Sequence, residues 1–468
     1  MAVEERDAVA GRPALLGSLR ARLREVGDAR AYRDVAAQTK YPVGAMLTSQ
    51  TLLVPGMAVA LSRMLGARHY GEYALIITIA GMFQLLAAFP VEQGTARFIA
   101  ESRQERPEEV RAYYTAGLSL RLAAGLLALA VAAVSARTLT RAFDLPEQTG
   151  PLLLAALSLC LLAPVGQFFL ACVQGAEQPS RWATGNLLTS FTAFPLALVG
   201  AGLFAGRGQM VLFGCIAAGW AAAAVVCAVL ARRALGFLAP ADWRWSHVCR
   251  LVLFLLPMWI VPIAGFGAKT IIGWCLAHAA GAVAVGQFDI ATKLLMHLGT
   301  VYQACMIVFM PAWTRLYAAR QASALLHSIA QARGVLLGIA FSYGGLLVVT
   351  GQWVVPGVFG ADQAGAVPAA RVMGFIMPIM ISGWVASATN VVSDRTRNVG
   401  MANVIWFSLV VPLGIALIPA LHALGGALAW AGAYCVFAWF YISRARPFFH
   451  EVEAWRERQR QDPQIGAD

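Results

Sequence analysis

Charge is what this sequence has least of. Only 13% of its 468 residues are Asp, Glu, Lys or Arg, and 59% are hydrophobic, where an average soluble domain has about 25% and about 45–50%. The mean hydropathy is +0.65. Such a chain does not fold around one water-surrounded core. Its length is better divided into runs of ~20 apolar residues, the span of a bilayer helix. Cysteine motifs are missing too. Cys160, Cys172, Cys215, Cys227, Cys249, Cys275, Cys305 and Cys435 form no CxxC pair and nearly all lie in apolar runs. They read as small buried hydrophobes, not as a metal or disulfide framework. No paired carboxylates, HExxH, GxSxG or phosphate-binding glycine loop stands out, so no enzymatic, cofactor or metal site is expected. Residues 1–42 lack the apolar stretch of a secretory signal.

Lysine is scarce: 33 of the 36 basic residues are Arg. The net charge of +12 and pI near 9.6 would suggest nucleic acid in a soluble protein. Here no basic–aromatic module or zinc pattern accompanies them, so no nucleic-acid partner is expected. Most of these residues sit in the gaps between twelve apolar runs, at roughly 43–65, 73–94, 113–135, 150–173, 183–205, 210–231, 250–277, 284–310, 333–355, 367–390, 399–420 and 424–443. With the N-terminus in the cytoplasm, 27 Arg and Lys fall on inner segments and five (Arg63, Arg68, Arg137, Arg141, Arg207) on the other side. That bias predicts a multi-pass protein with both termini cytoplasmic. Ahead of the first run, Leu15, Leu16, Leu19, Leu23 and Val26 alternate with Arg20, Arg22, Arg24 and Arg30. They read either as a basic amphipathic helix lying on an anionic leaflet or as a basic tail.

The chain repeats itself. Gly66 and Gly71 in GARHYGEYAL align with Gly281 and Gly286 in GAVAVGQFDI at an offset of 215, and Phe143/Phe359, Asn186/Asn403 and Arg97/Arg315 follow at 216, 217 and 218. The predicted fold class is an all-α polytopic membrane protein of about 12 transmembrane helices. They form two six-helix lobes related by a pseudo-twofold axis along the membrane normal. Its parts are a segment 1–42, a lobe 43–231, a cytoplasmic linker 232–249, a lobe 250–444 and a cytoplasmic tail 445–468. Two like-oriented bundles leave a central cleft, the architecture of alternating access.

Charges inside the membrane are costly and mark substrate or ion paths by default. Lys269 is the deepest of the C-terminal half; it reads as an anion contact in the cleft or as half of an internal ion pair. Asp289, Lys293 and His297 follow at i, i+4 and i+8, one stripe on a helix. Asp289 and Lys293 can neutralise each other; alternatively Asp289 or His297 couples a proton or sodium ion and Lys293 meets substrate. Arg121 points into the cleft or snorkels to the inner surface, and Arg371 has the same two readings on the outer side. Glu92 and Arg97 read as interface anchors. The set Arg121, Lys269, Lys293 and Arg371 against Asp289 is net cationic, which suits a phosphate or diphosphate.

Residues 62–104, SRMLGARHYGEYALIITIAGMFQLLAAFPVEQGTARFIAESRQ, resemble the opening of bacterial polysaccharide flippases of the Wzx type, with Arg63, Leu65, Gly66, Gly71, Tyr73, Gly94, Arg97 and Phe98 where that pattern puts them. VQGAEQPSRWATGN (173–186), VGQFDIATKL (285–294) and VFGADQAGAVPAARVMG (358–374) are similar to later parts of the family. The resemblance implies a fold of the multidrug/oligosaccharidyl-lipid/polysaccharide exporter superfamily, in the bacterial inner membrane. It implies an undecaprenyl-diphosphate-linked oligosaccharide as cargo, for exopolysaccharide, capsule or O-antigen synthesis. A polysaccharide polymerase and its chain-length machinery are then further candidate partners. Many relatives carry an acidic residue near the middle of the seventh span, where this chain has Lys269. A cation-coupled multidrug antiporter of the same superfamily and a membrane enzyme of glycan assembly are the rival readings.

Overall fold

The computed structural model describes residues 44–45 and 48–461, apart from 88, 144, 240–242 and 394. The segment 1–42 and the tail beyond 461 lie outside the described residues. Lipid offers a backbone amide no water, so a spanning segment must bond its polar groups internally. Among the described residues every regular element is accordingly helical. A π-helical turn, Thr48–Leu53, leads into α1 (Val54–Ala87), α2 (Val91–Glu105) and α3 (Val110–Ala142). Next come α4 (Thr149–Leu157), a second π turn (Ser158–Leu162), α5 (Ala163–Gly175), α6 (Pro179–Gly202) and α7 (Phe204–Leu235). The short α8 (Trp245–Leu255) precedes α9 (Ile260–Ala318), α10 (Ala322–Phe359), α11 (Val367–Val392) and α12 (Thr396–Gln461).

Nine runs among the described residues are long and apolar enough to cross a membrane. Three of them contain a backbone break, at Gly66, Gly281 and His422. Dividing those three gives twelve segments, consistent with the number expected from the sequence. The breaks come in repeat-related pairs. Gly66 (φ 70°, ψ 172°) and Gly281 (φ 75°, ψ −179°) have almost the same backbone geometry. Gly208 (φ 66°, ψ −167°) is matched by His422 (φ 50°, ψ −127°). Glycine adopts positive φ without the steric penalty a Cβ brings; at 422 the chain makes the turn without one.

Three expected boundaries move, two of them at prolines. The run over 73–94 stops at Ala87 and restarts at Val91, because Pro90 has no amide hydrogen and disfavours helix in the residue before it. The run over 250–277 is divided by a 3-10 turn, Leu256–Trp259, around Pro257. The tail beyond 444 continues α12 as far as Gln461. The linker is not a loop throughout: α8 takes in its last five residues and lies against α2 and α3. Val248, Leu251 and Leu255 are buried there. Arg250 donates to Tyr113 Oη at 2.8 Å and pairs with Glu101 at 3.3 Å. A Cβ at Gly94 would stand 2.8 Å from Leu255 Cδ2, so glycine permits this close seat.

At the Gly66/Gly281 end the two repeats are joined. A Cβ on Gly71 would stand 2.7 Å from the carbonyl carbon of Ala282, and one on Gly286 would stand 3.1 Å from Gly71 Cα. The repeat-equivalent glycines therefore lie backbone to backbone. Around them, Ser62 Oγ donates to the Phe359 carbonyl at 2.8 Å. Arg63 donates to the carbonyls of Val358, at 2.7 Å, and Gly357. On the repeat-related diagonal, the Phe143 ring packs on His278 and Trp274 at 4.9 and 6.1 Å. The Asp362 carboxylate accepts the Ala67 amide at 2.5 Å, capping the helix that restarts after Gly66.

Gly71→Ala should therefore destabilise the protein by about 1–3 kcal/mol through overpacking. Gly338→Ala should be tolerated, because nothing stands within 4 Å of its Cβ direction. Thermal unfolding of the two variants in the same detergent checks the pair.

Candidate functional site

The opposite end of the bundle is open. A cavity of about 1480 Å³ lies between the end of α1, the starts of α2 and α5 and the middle of α7 on one side and the starts of α9 and α12 on the other. The second π turn brings Leu159 into its wall; such widened turns are frequent at functional sites. Phe89, Trp220 and Phe254 line it with Gln84, Gln93 and Gln167. Its charged lining residues are Arg97, Arg121, Arg397 and Glu92.

These charges differ in what holds them. Arg121 is buried at 2% exposure. It forms an ion pair with Glu92 at 2.5 Å and donates to the carbonyls of Ala87 and Phe89 at 2.6 and 2.8 Å. A helix end leaves its last carbonyls without amide partners, and Arg121 serves that of Ala87 where α1 stops short of Pro90, while the Phe89 carbonyl also takes the Val91 amide. It thus neither snorkels to the surface nor stands free. Arg97 lies with its guanidinium 4.6 Å from the centre of the Phe254 ring. Among the described residues neither Arg97 nor Arg397 has an ion-pair or hydrogen-bond partner. Glu92 and Arg97, expected as interface anchors, are on the cavity wall.

The charges chosen from the middle of the chain form a different cluster. Lys269 and Lys293 are each twelve residues from Gly281, on helices running in opposite directions. At 1.5 Å per residue both lie about 18 Å from the turn, near the centre of a ~30 Å hydrocarbon layer. Asp289 joins them, with Oδ1 3.2 Å from Lys269 Nζ and Oδ2 2.6 Å from Lys293 Nζ. Tyr70, across the join from the other repeat, donates to Asp289 Oδ2 at 3.1 Å and accepts from Lys293 Nζ at 3.0 Å. The Lys293 ammonium also stands 5.3 Å from the centre of the Tyr70 ring and 5.9 Å from that of Tyr73, within cation–π reach. The i, i+4 spacing of Asp289 and Lys293 announced one pair. The second ammonium and the tyrosine arrive through tertiary packing.

His297 is half-buried one turn beyond Lys293. Arg371 donates to Gln352 Oε1 at 3.0 Å, between α11 and α10. Of the residues selected from the sequence, Arg121 is among the described lining residues of the cavity, and Lys269, Lys293, Asp289, His297 and Arg371 are not. The sequence reading passed over Arg397. Its signal was a short inner loop with Arg395 and Arg397 just before an apolar run.

The broken helical bundle, joined at one end and holding a cationic cavity at the other, is a fold shared with solved membrane transporters. A multidrug resistance MATE family transporter of the MOP superfamily in an inward-facing conformation superposes with a TM-score of 0.68 at 14% identity, over 90% of this chain and 99% of that one. A MOP superfamily transporter from Pyrococcus furiosus, described by the reverse polarity of its binding pocket, gives 0.61 at 15% identity over 90% and 97%. The lipid II flippase MurJ in an inward closed conformation gives 0.58 at 12% identity over 86% and 88%. The chain belongs to the polysaccharide biosynthesis protein family, whose pattern it matches over residues 45–317. No curated protein matches it at the level of sequence.

Asp289→Asn would leave two ammonium groups facing each other at mid-membrane. Breaking a buried pair in this way costs about 3–5 kcal/mol. The variant should melt well below the wild type, and adding Lys293→Met should recover part of the loss. Equal melting temperatures for wild type and Asp289→Asn would remove the carboxylate from the stability of the join.

Proposed function

We propose that this protein is a flippase. It carries an undecaprenyl-diphosphate-linked oligosaccharide from the inner to the outer leaflet of the bacterial inner membrane, for surface polysaccharide synthesis. The observation that carries the reading is the pair of unpaired guanidiniums, Arg97 from the first repeat and Arg397 from the second, on the wall of one large cavity. Planar guanidiniums bind phosphate oxygens in bidentate fashion, and two of them suit a diphosphate. Arg121 is neutralised by Glu92, so the net positive charge of the wall is that of Arg97 and Arg397. The glutamines and aromatic rings of the wall suit a hydrated sugar chain, while the polyprenyl tail stays in lipid. Family membership supports the same cargo class.

In this reading 43–231 and 250–444 are the two lobes, the open end faces the cytoplasm with both termini, and the lobes rock about the join. Closing the cavity end and opening the Gly66/Gly281 end parts Tyr70 from Asp289 and Lys293. Lys269 and Lys293 then meet the head group on its way out. A coupling cation at Asp289 would have to displace an ammonium already bound there. Polymerase and chain-length proteins act on the delivered repeat.

The test is the sidedness of the lipid-linked pool in a deletion strain, read with an impermeant sugar-oxidising label. The expected result is accumulation on the cytoplasmic face with loss of surface polymer. An intact polymer with no accumulation would point instead to a small-molecule antiporter. Arg97→Ala with Arg397→Ala should lower the flipping rate at least about tenfold at unchanged protein abundance, since each charge-assisted hydrogen bond contributes about 1.5–3 kcal/mol.

A further inference from the structure

A second cavity lies away from the first, on the outside of the C-terminal repeat. It is a slot of about 470 Å³ between α10, α11 and α12, walled by Leu326, Ile329, Val385, Ile442 and Phe449. Two arginines, Arg333 and Arg446, complete its lining. Among the described residues neither has an ion-pair or hydrogen-bond partner. Both are exposed.

Depth distinguishes the two ends of this slot. Arg333 is 26 residues from Phe359, and Arg446 is 24 residues from His422; both reference points lie at the closed end of the bundle. At 1.5 Å per residue the arginines stand about 39 and about 36 Å from that end. That places both just beyond a ~30 Å hydrocarbon layer, at headgroup level. Ser382, also on the lining, is 15 residues into α11 from Val367, about 22 Å from the same end and so within the hydrocarbon. The slot therefore reaches from acyl depth, at Ser382, Val385 and Ile442, to the two arginines at headgroup depth, and Leu326, Ile329 and Phe449 continue its wall beyond them.

The first repeat does not reproduce the pair. At the 214-residue offset of Gly208 and His422, Arg446 corresponds to Arg232, whereas at offsets of 214–218 Arg333 corresponds to Thr115, Ala116, Gly117, Leu118 or Ser119. The repeated fold alone does not require Arg333.

We propose that this slot is a binding site for an anionic glycerophospholipid, with the phosphate between Arg333 and Arg446 and an acyl chain against Val385 and Ile442. Charge complementarity selects the occupant. A zwitterionic lipid brings its own cation to two guanidiniums that have no carboxylate to balance them, while phosphatidylglycerol brings a net negative charge. The site is separate from the cavity assigned to substrate, so it stands or falls independently of the flippase reading.

The experiment is native mass spectrometry of the full-length protein released from vesicles of equal phosphatidylglycerol and phosphatidylcholine. Each basic residue near an anionic headgroup contributes about a fivefold preference, so the pair gives about thirtyfold. The wild type should retain phosphatidylglycerol by that margin, and Arg333→Gln with Arg446→Gln should lose it. Arg444→Gln should keep the preference, because Arg444 is not among the slot residues and lies over the Phe440 ring. Ile442→Trp, which fills the slot on its hydrocarbon side and leaves both arginines, should release the bound lipid as well. If the double variant does not fold, Arg446→Gln alone decides, with about a fivefold loss. Equal retention of both lipids by the wild type, or an undiminished preference in the variants lacking the arginines, overturns the proposal.

Discussion

Gly71 has no side chain, and Ala282 and Gly286 present their backbones to it; the two repeats are joined where these three positions meet. Without that approach Tyr70 would not reach Asp289 and Lys293, and the ends of the first and ninth spans would not share hydrogen bonds. The cavity at the opposite end follows from the same contact. Two rigid helical bundles pinned together at one end diverge at the other. In a membrane, where lipid is as apolar as the side chains, close backbone approach and buried polar bonds supply most of what holds helices together. Both are concentrated at this join.

The charges of the interior divide accordingly. At the join each deep cation is matched: Asp289 serves two ammonium groups, and the phenol of Tyr70 serves both acid and base. At the open end Glu92 occupies Arg121, and Arg121 in turn serves carbonyls at the break by Pro90. Arg97 and Arg397 are the charges of the cavity wall that fold formation has not used. Burying an ion is tolerated when its partners come with it, and leaving one at a water-filled wall is tolerated because water can serve it. The two lysines and the two arginines thus meet different physical conditions, although all four are simply basic residues near apolar runs in the sequence.

Much of this was legible before the structure. The arginine bias and the apolar runs gave the helical, multi-pass fold. The glycine pairs at a constant offset marked the breaks, because a Cβ-free residue has an identifiable use at positive φ. The i, i+4 spacing announced the Asp289–Lys293 pair. What sequence did not carry was the direction of side chains at helix ends. Arg97 and Arg121 both read as basic residues beside apolar runs, and only tertiary packing gives Arg121 a carboxylate and Arg97 an aromatic face. Lys269 faced a choice between anion contact and ion pair that only the position of Asp289 on the adjoining helix resolves. The proline breaks at 90 and 257 were visible as residues. Their consequence, a linker helix seated against the first repeat, was not.

That seated helix works as a leash. Arg250, Tyr113, Glu101 and the close fit at Gly94 fasten α8 to the first repeat, and just beyond it α9 belongs to the second. The four residues Leu256–Trp259 are the whole connection. Wound as a 3-10 turn they cover about 8 Å, and drawn straight they cover at most about 14 Å. While α8 stays seated, the start of α9 can stand at most about 14 Å from its anchor, about 6 Å further than the wound turn holds it, so the reach of the machine at this corner is set by the length of a single turn.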